Sequence, residues 1–143
     1  ALFSAGGETS LNFAKVFTKY GTVVVDNSSA WRMDDLVPLV VPEVNLDHIH
    51  DELLIANPNC STIQSVLPLK VLDDHFTLKS VNYTTFQAVS GSGVKGIEDL
   101  ERTRNGLHPT NYPHPIFNNV LPHIDSHFLL ILLLYILLTV IHV

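Results

Sequence analysis

The chain has 143 residues, of which 46% are hydrophobic and 15% are charged. Its 14 Asp and Glu residues outnumber its 8 Lys and Arg residues, and the net charge of −6 argues against a nucleic-acid partner, which would require a basic patch. A single cysteine, Cys60, excludes a disulfide framework and fits a reducing, cytoplasmic compartment.

The first part of the chain alternates strand-like and helix-like segments. Residues 1–7 are typical of a buried strand that runs into a turn of small residues. Residues 8–20 have a helix-like apolar face, and Gly21 stands where a helix C-cap belongs. Three short apolar runs predict further strands, at residues 22–25, 39–41 and 53–56. This alternation predicts a parallel α/β sheet.

Polar segments follow three of these predicted strands. They read SAGG at residues 4–7, DNSSAWRM at residues 26–33 and NPNCST at residues 57–62. Ligands of such sheets bind beyond the carboxyl ends of the strands. We therefore expect the three segments to share a binding site.

The second part of the chain is less regular. Residues 61–74 predict a helix that Pro68 would kink or break. Residues 79–89 predict a strand, and a flexible turn follows at residues 90–93. Residues 97–104 predict an exposed helix, and the Pro-, His- and Asn-rich stretch at residues 105–125 predicts irregular structure.

The end of the chain changes character, because residues 128–143 contain no Asp, Glu, Lys or Arg. As a helix they would span roughly 24 Å. A membrane span needs about 20 apolar residues. We therefore disfavour a transmembrane helix, and the alternatives are a buried core helix or a translation-frame error.

Cys60 lies between a predicted strand and a predicted helix. A helix N-terminus presents unpaired N–H groups that favour the nucleophilic thiolate. Ser61 and Thr62 are candidates to cap this helix. The other interpretation is a buried, inert cysteine, which is a common fate of a lone thiol.

Six blocks of sequence occur in the order known from one enzyme family. They are DNSSAWRM (26–33), VVPEVN (40–45), NPNCSTIQ (57–64), QAVSG (87–91), YPHP (112–115) and PHID (122–125). Through these blocks the chain resembles aspartate-semialdehyde dehydrogenases over about residues 1–126. The N-acetyl-glutamyl-phosphate reductases share the chemistry, but their cysteine usually lies in a PGCYP context, whereas here it lies in PNCST.

The resemblance implies a fold class, α/β. Residues 1–60 would form the second part of a Rossmann-like NADP-binding domain. Residues 61–126 would begin an α+β catalytic and dimerisation domain. The apolar tail at residues 127–143 resembles nothing in the family at this point and would be non-native. The intact enzyme would be a homodimer.

The resemblance also implies a reaction. Family members use NADPH to convert L-aspartyl 4-phosphate to L-aspartate 4-semialdehyde, with release of phosphate, in lysine, threonine, methionine and diaminopimelate biosynthesis. Cys60 would be the catalytic nucleophile and would form a thioester, which splits one difficult displacement into two easier steps.

Other residues acquire roles only through the family motifs. Arg32 and Asn59 would bind the substrate phosphate, and Gln87 would orient the substrate. Without the motifs, Arg32 would be a solvated surface charge and Gln87 a strand-end residue. Small residues in three turns would contact NADP: Ser4, Ala5, Gly6, Gly7, Ser28, Ser29, Ser90, Gly91 and Gly93. Each of these would otherwise belong to an ordinary turn.

The eight histidines show no metal-ligand spacing with convincing partners, so we predict no metal site. The family's catalytic histidine lies in a later motif that we do not find, and we assign its role to none of them. The family's opening glycine-rich turn and later catalytic half are also missing. We therefore expect this chain by itself to be a poorly soluble, inactive fragment.

Three alternatives to an enzyme fragment were considered. The chain could be a non-catalytic remnant that binds a full-length partner. It could also be a protein tethered to a membrane by its apolar tail. A cysteine hydrolase is the weakest alternative, because no histidine can be paired with Cys60 from the sequence.

Overall fold

The structure is a computed structural model and describes residues 1–122. The apolar tail and the end of the PHID block lie outside the described residues, so the interpretations of residues 123–143 stay predictions. The chain divides into two compact units, residues 1–80 and residues 81 onward.

The first unit contains a three-stranded parallel sheet. Strands β1 (Leu2–Phe3), β2 (Val24–Asp26) and β3 (Leu54–Ala56) lie in the order β1-β2-β3. The register pairs Leu2 with Val25 and Val25 with Ile55. The predicted parallel α/β sheet is therefore confirmed. The expectation of a buried first strand is wrong for Leu2, which is 86% exposed, because β1 lies at the edge of the described sheet.

The strand predicted at residues 39–41 is reduced to one parallel bridge, between Leu39 and Ala56. Val40 N–H donates to the carbonyl of Ala56 at 3.0 Å, but the pairing goes no further. Prolines flank the segment, and the second of them, Pro42, is the first residue of helix α2 (Pro42–Asn45). Proline has no N–H to donate and is favoured at a helix start, so the ladder ends there.

Helix α1 (Gly7–Lys19) packs over the sheet as predicted and ends before Gly21, whose φ of 77° provides the expected left-handed turn. The core beneath it is made by six buried residues: Ala14, Val24, Trp31, Val37, Leu54 and Ala56. Two other side chains hold the Trp31 ring in place. Its Nε1–H donates to Ser10 Oγ at 2.9 Å, and Lys15 Nζ lies 4.7 Å from its ring centroid.

Helix α3 (Cys60–Phe76) is longer than the predicted 61–74 segment and passes through Pro68 without ending. It ends at Thr77, whose φ of 55° is in the left-handed region. Among the described residues, no helix is long and apolar enough to cross a bilayer.

The second unit lacks the strand predicted at residues 79–89. Residues 77–88 form neither strand nor helix, because no strand of the described region lies alongside to accept their hydrogen bonds. A short 3-10 turn (Val89–Ser92) leads into α4 (Val94–Arg104), and irregular chain follows up to residue 122, as predicted.

Asp99, on α4, orders the irregular chain of the second unit. Its side chain is fully buried. The carboxylate accepts hydrogen bonds from the backbone N–H groups of Thr110, Asn111 and Tyr112 at 2.7–2.8 Å. Burial disfavours the charged carboxylate, but these hydrogen bonds outweigh it and hold the pKa of Asp99 well below its usual range.

Candidate active site

Cys60 is the first residue of α3, and its side chain is exposed. Asn59 is the N-cap of the helix, and its Oδ1 accepts a hydrogen bond from the N–H of Ser61 at 2.9 Å. The Cys60 sulfur lies 3.9 Å from the same oxygen. The prediction that Ser61 and Thr62 cap the helix is therefore wrong: Ser61 supplies the capped N–H, and Thr62 is buried inside the first turn. Exposure also excludes the buried, inert cysteine.

Arg32 joins the two loops that follow β2 and β3. Its Nε–H donates to the carbonyl of Asn57 at 2.9 Å, and its Nη2 donates to the carbonyl of Asn27 at 3.0 Å. The same loops are tied by Asn57 Nδ2, which donates to Asn27 Oδ1 at 2.7 Å. Two of the three guanidinium nitrogens are thereby fixed, while Nη1 makes no hydrogen bond within residues 1–122.

Arg32 lies next to charged and polar groups of these loops. Partial burial lowers the pKa of Arg32, whereas Asp26 and Cys60 both act in the opposite direction by favouring the charged guanidinium. The loop whose Asn57 carbonyl accepts the Arg32 hydrogen bond ends at Cys60.

Asp26 begins the DNSSAWRM block, but its burial and its hydrogen bond to Ser28 were not predicted from the sequence. Its side chain is fully buried at the end of β2, and its Oδ2 accepts a 2.6 Å hydrogen bond from Ser28 Oγ. Ser28 Oγ in turn accepts the N–H of Ala30 at 3.1 Å. Oδ1 has no hydrogen-bond partner in the described part of the chain. An acidic residue at the end of a β-branched strand was the signal that could have revealed it.

The turn at residues 4–7 lies beside this loop. Gly6, with a φ of 91°, is the N-cap of α1, and Asn27 N–H donates to the carbonyl of Phe3 at 2.9 Å. A Cβ built on Gly7 would lie 3.8 Å from the Ala30 Cβ, whereas one on Gly6 would have no atom within 4 Å. Two of the predicted cofactor segments thus lie side by side at the carboxyl ends of β1 and β2. They include Ser4, Ala5, Ser28 and Ser29.

The remaining predicted residues lie together in the second unit. Ser90 and Gly91 lie within the 3-10 turn, Gln87 precedes it and Gly93 follows it, and the Gln87 side chain lies against Gly91. Tyr112 braces the turn, since its hydroxyl donates to Ser92 Oγ at 2.8 Å. Gln87, Ser92 and Tyr112 also line part of a cavity of about 420 Å³.

No group of three or more His, Cys, Asp or Glu side chains in residues 1–122 is placed to hold a metal ion. His48 instead has its Nδ1 3.2 Å from Asn45 Nδ2.

Comparison with known families matches both parts of the chain. Residues 1–52 match the family model described as "Semialdehyde dehydrogenase, NAD binding domain", and residues 69–128 match "Semialdehyde dehydrogenase, dimerisation domain".

Individual relatives agree with these matches. The aspartate-semialdehyde dehydrogenase of Aquifex aeolicus is 52% identical over 138 residues, covering 90% of this chain and 41% of that protein. The Campylobacter jejuni enzyme of the same name is 44% identical over 136 residues, covering 87% of this chain and 40% of that protein. The chain thus spans about two fifths of the length of these relatives.

Solved structures give the same result. The crystal structure of aspartate semialdehyde dehydrogenase II from Vibrio cholerae is 42% identical, with a TM-score of 0.74, and the match covers 88% of this chain and 40% of that one. The structure of that enzyme complexed with ASA is 41% identical, with a TM-score of 0.75 and the same coverage.

Proposed function

This chain belongs to the semialdehyde dehydrogenase family, and we propose that the protein carrying it is an aspartate-semialdehyde dehydrogenase. The substrate would be L-aspartyl 4-phosphate and the products L-aspartate 4-semialdehyde and phosphate. One observation carries the proposal: an exposed cysteine starts a helix after the carboxyl end of β3, next to the loops that Arg32 joins through its hydrogen bonds.

In this proposal the Cys60 thiolate attacks the carbonyl carbon of the acyl phosphate, and the carbon–oxygen bond to phosphate breaks. The product is a thioester on the Cys60 sulfur. NADPH supplies the hydride that reduces this thioester. The resulting hemithioacetal collapses, releases the aldehyde and returns the thiolate. The Asn59 cap fixes the start of the helix from which the sulfur projects.

Arg32 would hold the phosphate before and during its departure. Its hydrogen bonds to the Asn57 and Asn27 carbonyls fix the guanidinium plane, and Nη1 is left for phosphate oxygens. The positive charge also balances the negative charge of the leaving group. We assign Asn59 a contact with the same phosphate and Gln87 the orientation of the substrate.

The residues at the carboxyl ends of the strands are suited to binding a dinucleotide cofactor. The turn at residues 4–7 is small and open, and α1 begins there with unpaired N–H groups that favour an anion. We assign cofactor contacts to this turn, to Ser28 and Ser29, and to the turn that contains Ser90, Gly91 and Gly93. We propose NADP rather than NAD as the cofactor.

We further propose that the intact enzyme is a cytoplasmic homodimer, supported by the match of residues 69–128 to a dimerisation domain and by a nucleophilic thiol that must stay reduced. The 143-residue chain by itself should show no turnover, because the sequence motif that carries the family's catalytic histidine is not found in it.

The test is turnover by the purified full-length protein, run in reverse with aspartate semialdehyde, phosphate and NADP. Cys60→Ser should abolish the formation of NADPH, whereas the neighbouring Ser61→Ala should retain most of it. Replacing NADP by NAD tests the cofactor in the same assay. Turnover by Cys60→Ser at the wild-type rate would refute the mechanism.

A further inference from the structure

The backbone conformation at Gly91 does not require a glycine. Four glycines of the described residues have positive φ angles: Gly6, Gly21, Gly93 and Gly106. Gly91 is not among them, so its backbone conformation is open to an ordinary L-residue. The reason for a glycine at this position must therefore be the space around it.

The three atoms nearest to that space all belong to the side chain of Gln87. A Cβ built on Gly91 would lie 2.2 Å from Gln87 Nε2, 3.0 Å from its Cδ and 3.3 Å from its Cγ. Carbon atoms in contact prefer about 3.5–4.0 Å. The Gln87 carboxamide thus lies where a side chain at position 91 would begin. The hydrogen bond from Gly91 N–H to the Ala88 carbonyl, at 3.0 Å, holds the turn that brings the two residues together.

Gly96, five residues later, shows a different constraint. A Cβ there would lie 2.4 Å from the carbonyl oxygen of Val89 and 2.9 Å from the Tyr112 hydroxyl. Backbone would have to move to admit it. At Gly91 only the end of a flexible side chain would have to move, so substitution should displace Gln87 while the fold stays intact.

We propose that Gly91 is a positioning residue for Gln87: the absence of a side chain at position 91 lets the Gln87 carboxamide lie across the turn at residues 89–92. This inference rests on the proposed function, in which Gln87 orients the substrate. It gives Gly91 a role toward the substrate, in addition to the cofactor contact assigned above.

The experiment is a double-mutant cycle in the full-length enzyme, with Gln87→Ala, Gly91→Ala and the pair. Gly91→Ala should lower kcat/KM for aspartate semialdehyde by about tenfold, near the loss caused by Gln87→Ala. The pair should lose no more than Gln87→Ala alone, within about twofold, because the second change has nothing left to displace.

A stability cycle tests the same contact without activity. Gly91→Ala should raise the unfolding midpoint, relative to its parent, by on the order of 2 °C more in the Gln87→Ala background than in the wild type. Gly96→Ala is the matched control, since it should lower the midpoint in both backgrounds equally.

The outcomes separate the two proposals. If the losses in kcat/KM multiply, or if the stability cycle shows no coupling, the positioning role is overturned. If the wild-type enzyme lacks turnover while the stability cycle shows coupling, the proposed function fails and the contact between Gly91 and Gln87 stands.

Discussion

Arg32 combines a positive charge with a planar guanidinium group that has several hydrogen-bond donors. Replacing it by lysine separates these two properties. Lysine keeps the positive charge beside Cys60 but has one nitrogen where arginine offers several. Its one nitrogen cannot occupy the positions of both Nε and Nη2, so we expect lysine to replace only one of the hydrogen bonds that Arg32 donates to the Asn57 and Asn27 carbonyls. Arg32→Ala removes both the charge and the guanidinium donors.

The magnitudes follow from the geometry of the two bonds. The bond to Asn57 is partly buried and charge-assisted, so it should contribute about 1.5 kcal/mol. The bond to Asn27 is exposed and should contribute about 0.5 kcal/mol. Arg32→Ala should therefore lower the free energy of unfolding by about 2 kcal/mol, and Arg32→Lys by about 1 kcal/mol.

Two assays on the full-length protein test this reasoning. Urea unfolding should rank the variants wild type, Lys, Ala. Alkylation of Cys60 by iodoacetamide should be about threefold or more slower in Arg32→Ala, because the thiolate loses its cationic neighbour, and within about twofold of wild type in Arg32→Lys. Catalysis should require the guanidinium group itself, so kcat/KM should fall about tenfold or more in both variants. Alkylation at the wild-type rate in Arg32→Ala would refute the electrostatic argument.

Three further predictions concern stability. Asn59→Ala should lower the free energy of unfolding by about 1 kcal/mol through loss of the N-cap, whereas Asn59→Asp keeps the acceptor; equal urea midpoints for Ala and wild type would contradict the cap. Trp31→Phe should cost about 1–2 kcal/mol, since it removes the buried hydrogen bond to Ser10, and an unchanged midpoint would argue against that bond. Asp99→Asn should destabilise the protein at neutral pH, because an amide turns N–H donors toward backbone N–H groups. The pKa of Asp99 is lowered in the folded state, so its stabilisation is present above about pH 4 and is lost as the pH falls further. Thermal unfolding from pH 7 to pH 3 should show the gap to wild type narrowing below about pH 4, and a constant gap would exclude the linkage.

The site could be predicted in outline but not in its contacts. The sequence placed Cys60 between a strand and a helix, and the structure has the cysteine there, while its role as a nucleophile stays a prediction. The cap was misassigned because several residues before and within the first turn can accept a hydrogen bond, and the backbone conformation decides which one does. Asp26 and its bond to Ser28 were not foreseen, since burial of a carboxylate depends on what packs around the end of β2.

The sequence by itself determined the elements whose signal is local. Helix α1, the glycine after it and strands β2 and β3 could be predicted from the spacing of apolar residues and from short apolar runs, which depend only on residues that are neighbours along the chain. Only the tertiary structure decided which extended segments pair. Residues 39–41 and 79–89 have similar strand character, yet one forms a single bridge and the other forms no pair in the described region. A strand needs a partner to satisfy its N–H and C=O groups, and that partner comes from another part of the chain.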